Sequence, residues 1–73
     1  MSASSTPSVG DHVSWKTPQG RTRGRVVDKR TSDFTFDGQQ FRASDDDPAF
    51  IVESDKSGKQ AAHKASALNV LKD

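Results

Sequence analysis

The sequence predicts a small all-β barrel, and three observations lead there. Apolar residues fall at every second position in short runs, as with Val13 and Trp15 or Phe34 and Phe36, and then pack into the continuous run of residues 49–52; this is the period of strands with one or two buried faces. The runs are separated by turn chemistry at Pro18 to Gly20, Asp37-Gly38 and Ser54 to Gly58, each a residue combination that reverses a chain cheaply. Finally, 73 residues with 30% hydrophobic content supply one core and not two. A net stability of about 3–5 kcal/mol is the expectation for that size. The mean hydropathy of −0.84 leans polar, yet strand-spaced apolar residues separate the chain from a disordered one.

Taken in order, residues 1–8 are Ser, Ala, Thr and Pro after Met1, with little to bury, and are expected to be a disordered tail ahead of a single domain over residues 9–73. Val13 and Trp15 alternate with polar neighbours in a first strand. Thr17-Pro18-Gln19-Gly20 turns it back, with Pro at the second position and a Gly able to take positive φ. The return strand runs long, from Arg21 to Arg30, and its alternation slips at Val26-Val27, where adjacent apolar residues point to opposite faces. A bulge or sharp bend there lets a long strand wrap a small barrel, and Gly24 just before it admits a neighbouring backbone. Asp37-Gly38 makes residues 31–43 a small hairpin, because both central residues of a type I′ turn need positive φ. The polar link Ser44-Asp45-Asp46-Asp47-Pro48 follows. Residues 49–53 form the most apolar strand and are expected at the centre of the sheet. Gly58 takes a left-handed position in the next turn, residues 59–64 return, residues 65–67 fit one turn of 3₁₀ helix, and Val70 and Leu71 come to lie beside the first strand. The count is five to six short strands.

Charge is segregated along the chain. Lys16, Arg21, Arg23, Arg25, Lys29 and Arg30 precede an acidic half with Asp33, Asp37, Asp45, Asp46, Asp47, Glu53 and Asp55, so the halves are expected to complement each other where their strands meet. There is no cysteine for disulfides or thiolate metal sites. No apolar run approaches a membrane span, and the first residues lack a secretory pattern, so the expectation is a cytoplasmic monomer with no membrane partner. Asp45, Asp46 and Asp47 point to different sides of an extended link, which suits a solvated loop better than a calcium site, and His12 with His63 is too little for zinc. No serine sits on a nucleophile elbow, and Gly58-Lys59 lacks the upstream glycine of a phosphate loop. The chain reads as a non-enzyme without cofactors.

This strand order is that of an SH3-like barrel of Tudor type. The segments GDHVSW, GRVVDKRT and FRASDDDPAFIVESDKSGKQAAHKASAL resemble the hypervirulence-associated Tudor-like domain family, from Gly10 to Leu71. The resemblance implies a fold and a small binding module of uncharacterised function, and brings no catalytic residues. A Tudor-like domain suggests capture of a methylated cation, for which Trp15, Phe34 and Phe36 are the candidate cage. Two ligand classes follow from the residues: a protein or peptide partner, or an anion such as nucleic acid or a phosphate-bearing nucleotide like NADPH. The anion-binding candidates are Lys16, Arg21, Arg23 and Arg25, with three guanidinium groups at period two on one strand face. This face ranks above the cage, because it needs no residue that the core also needs.

Overall fold

A computed structural model describes residues 6–71. Its strands are β1 (His12–Thr17), β2 (Gly20–Arg30), β3 (Phe34–Phe36), β4 (Gln39–Phe41), β5 (Ala49–Ser54), β6 (Gln60–Lys64) and β7 (Asn69–Val70), with a 3₁₀ turn at Ala65–Ala67. Five of them form one antiparallel sheet in the order β6-β5-β2-β1-β7, while β3 and β4 pair only with each other. The architecture is all-β as expected. There are seven strands in place of five or six because the small hairpin builds its own ladder, and the barrel is not closed, since β6 and β7 remain the two edges.

Local sequence explains each bend. At Asp37 and Gly38 φ is 54° and 77°, so both central residues of the β3–β4 turn sit in the left-handed region that Asp and Gly tolerate. In β2 the register against β5 slips between Val26 and Asp28. Val27 is the extra residue and stays exposed, while Val26 points into the core. The bulge lets one 11-residue strand serve β1 at its start and β5 along its remainder.

The core lies on one face of the sheet. Val13 and Trp15 from β1, Val26 from β2, Phe50 and Val52 from β5, and Leu68 form a buried cluster, with Ala61 and Ala65 against it. Gly24 makes this possible. A methyl group there would lie 2.0 Å from the Glu53 carbonyl oxygen and 2.7 Å from Trp15 Cη2, so only glycine lets the indole lie across β2 beside β5.

Two expectations need correction. Residues 49–53 are not the central strand, because β2 holds that place and β5 is its neighbour. Their unbroken apolarity has another cause. Phe50 and Val52 face the core, whereas Ile51 points to the outer face and is still only 5% exposed; its register partner Ala62 stands at the depression where the β3–β4 hairpin leans against β6. β5 is thus covered on both faces. The free tail expected through Ser8 also gives way. Pro7 is fully buried, and Ser8 accepts a backbone hydrogen bond from Asp11 at 2.9 Å while donating its own N–H to Asp11 Oδ2 at 2.9 Å. Residues 1–5 of that segment lie outside the described residues.

Candidate functional site: an arginine row and an aromatic hairpin

The face of the sheet away from the core carries the charged residues. The β1–β2 register places His12 opposite Arg25, Ser14 opposite Arg23 and Lys16 opposite Arg21. Strand alternation therefore puts Arg21, Arg23 and Arg25 in one outward row, about 6.6 Å apart along β2. Thr22 and Gly24 face the other way. The structure brings together all four basic residues expected there.

Two of the guanidinium groups are held by β1. Arg21 donates from Nη2 to Ser14 Oγ at 2.8 Å, and Arg25 Nη2 lies 3.2 Å from His12 Nε2. A guanidinium only donates, so the imidazole nitrogen is the acceptor. Ser14 is itself buried, although its side chain is on the outer face; the Arg21 side chain lies over it. Arg23, between the two, helps line a shallow depression of about 340 Å³ with Arg21, Thr22, Asp55 and Lys56. These ties to β1 were not legible from the sequence, since a serine and a histidine at alternate positions carry no pattern of their own.

The acidic half does lie beside this row, as expected, but does not neutralise it. Glu53 sits opposite Arg25 on β5, yet its carboxylate accepts from Gln60 Nε2 at 3.4 Å. Asp55 meets Arg23 through its backbone, N–H to O at 3.0 Å. Among the described residues the ion pairs are Arg30 with Asp28 at 3.1 Å and Lys64 with Asp47 at 2.6 Å, and neither involves the row. Both lie at exposed positions, where such a pair contributes about 0–1 kcal/mol.

The three aromatic candidates are not brought together. Trp15 is 4% exposed and meets the His63 ring, with centroids 5.7 Å apart. Burial pushes the His63 pKa below its usual value. Phe34 and Phe36 instead join Phe41 on the small hairpin. Phe34 stacks on Phe41 at 5.4 Å, Phe36 meets it edge-on at 6.4 Å, and the Arg30 guanidinium lies 5.5 Å from the Phe34 centroid. The third ring of this group is Phe41, which pairs with Phe34 across the ladder. The Asp-Gly turn was the signal that could have found it, because a two-residue turn fixes which residues face each other.

No curated protein and no solved structure matches the chain. A family model does match residues 10–68, that of the Tudor domain of hypervirulence-associated proteins. It spans the sheet from the approach to β1 through Leu68 of the core, and with the all-β architecture in place, the chain belongs to the hypervirulence-associated Tudor domain family.

Proposed function

We propose that the domain is a non-catalytic module that binds an acidic segment of a protein partner on the outer face of its sheet, with Arg21, Arg23 and Arg25 as the anchoring residues. Membership of a Tudor-like family supports a small binding module. One observation carries the finer reading: three arginines share one face, two of them fixed by Ser14 and His12, and none is paired with a carboxylate among the described residues. Side chains already held in place lose less entropy on binding, and a guanidinium fork takes a carboxylate with two parallel hydrogen bonds.

The neighbours of the row favour a peptide over a polyanion. Glu53 and Asp55 border it on the β5 side, with Lys56 beside Asp55, and the two carboxylates repel a continuous phosphate backbone where they stand. A peptide can place carboxylates on the arginines and neutral or basic residues over the acids. Nucleic acid or a phosphorylated nucleotide is the second reading, supported by the same forks.

The test is an amide chemical-shift titration with acidic peptides, methylated peptides and oligonucleotides, repeated on the R21E/R23E double variant. An acidic peptide is expected to bind, to weaken at least about tenfold in the double variant, and to respond modestly to salt. A ligand whose affinity survives the charge reversal removes the assignment. A steep logarithmic salt slope, of roughly one per neutralised phosphate, shifts it to nucleic acid.

A further inference from the structure

The ladder between β2 and β5 ends before β2 does. Ser54 opposite Gly24 is the last register position of β5, while β2 continues back to Gly20 along β1. Backbone groups of successive strand residues point to alternate neighbours. Val26 faces the β1 side, its N–H donating to the Asp11 carbonyl at 3.0 Å and its carbonyl accepting from Gly10 at 2.8 Å. Arg23 faces the other way, and its carbonyl accepts from the Asp55 N–H at 3.0 Å. Arg21 stands two residues from Arg23, so its N–H and carbonyl also face the β5 side, where the chain has already turned away. Among the described residues no backbone group bonds to them there. The space left open is the depression of about 340 Å³ lined by Arg21, Thr22, Arg23, Asp55 and Lys56, where three cations stand against one carboxylate.

We propose that the acidic segment of the partner adds to β2 in this gap as a short antiparallel strand, with a glutamate or aspartate opposite Arg21, an inference that rests on the reading above. In an antiparallel pair, the residue opposite Arg21 exchanges both backbone hydrogen bonds with it and carries its side chain on the same face. That face holds the arginine row. One residue therefore fills the open backbone positions and brings its carboxylate beside Arg21 and, on the diagonal, Arg23. A guanidinium has five N–H donors, and the bond from Arg21 to Ser14 uses only one of them. From Arg23 to Gly20 the open border of β2 measures about 10 Å, three residues of strand, so the segment is short. Main-chain bonds supply its affinity and the acid its specificity. A phosphodiester accepts hydrogen bonds but donates none, and would leave the Arg21 carbonyl open.

The probe is the capped heptapeptide acetyl-TTTETTT-amide, titrated by amide chemical shift against the 73-residue chain up to about 5 mM, enough to fill a millimolar site. Binding is expected, with the Arg21 amide proton moving downfield. N-methylation at the glutamate, whose N–H faces β2, should weaken the peptide at least about fivefold. N-methylation at the next threonine, whose N–H faces solvent, should leave its affinity within about twofold. Arg21→Pro, which removes the N–H, should bind at least about fivefold more weakly than Arg21→Ala, both variants being checked for an unchanged melting temperature; if Arg21→Pro melts early, the two N-methylated peptides decide. Equal affinity of those two peptides, or of the two variants when both are folded, overturns the added strand and keeps the arginine reading. A glutamine analogue, acetyl-TTTQTTT-amide, that binds as tightly as the glutamate peptide overturns both, and so does the absence of any shift over the titration.

Discussion

Replacing Gly24 by alanine tests the central geometry of the domain with a single methyl group. The added carbon would sit 2.0 Å from the Glu53 carbonyl oxygen, where real side chains keep at least 3.0 Å, and 2.7 Å from Trp15 Cη2. The nearest obstacle is backbone, so no rotamer change relieves it, and β2 and β5 must separate by about 1 Å where Gly24 pairs with Ser54. Overpacking of this kind costs about 1–3 kcal/mol, and a weakened ladder hydrogen bond adds about 1 kcal/mol. Reduced freedom of the unfolded chain returns about 0.4–1 kcal/mol. The net loss of about 1–3.5 kcal/mol compares with about 3–5 kcal/mol available to a domain this small. Urea unfolding followed by Trp15 fluorescence and far-ultraviolet circular dichroism should show the midpoint falling by about 1–3.5 M, or a chain unfolded in buffer, given a slope of about 1 kcal/mol per molar. Gly58→Ala is the control: its φ is 73° with nothing within 4 Å, so only the left-handed conformation is penalised, by about 1–2 kcal/mol. If Gly24→Ala is as stable as Gly58→Ala, the close approach of Trp15 and β5 over Gly24 is wrong.

Trp15→Ala should cost about 3–5 kcal/mol and abolish cooperative unfolding, because the indole is buried in the main cluster; a folded variant that loses only ligand binding would place Trp15 in a cage instead. For His63 the pH dependence has a defined sign. Burial lowers its folded pKa below 6.5, so as pH falls through 6.5 the unfolded chain takes up the proton first and stability drops. Urea midpoints between pH 7.5 and 5 should decline more steeply in the wild type than in His63→Gln, and equal slopes would contradict the ring's burial against Trp15.

Most of the fold was legible because its signals are local. The Asp37-Gly38 hairpin, the slip at Val26-Val27 and the 3₁₀ turn at residues 65–67 each depend on backbone preferences of adjacent residues. The role of β5 was misread for the opposite reason. A run of buried residues says that both faces are covered, and not whether the cover is another strand or a hairpin folded over the sheet. At the site, strand alternation alone put Arg21, Arg23 and Arg25 on one face. Their ties to Ser14 and His12 depended on cross-strand register, and the grouping of Phe34 and Phe36 with Phe41, away from Trp15, on the turn between β3 and β4.

The position of β7 bears on synthesis. Val13 and Ser14 of β1 find their second partners in Val70 and Asn69, so the first described strand of the sheet is completed by the last. Loops of that length close slowly, and until residue 69 has left the ribosome one side of β1 presents unpaired backbone amides and carbonyls. An edge of this kind recruits strands from other chains. Nascent or truncated chains ending before Asn69 are therefore the species in which association between copies should begin, with β1 as the point of entry.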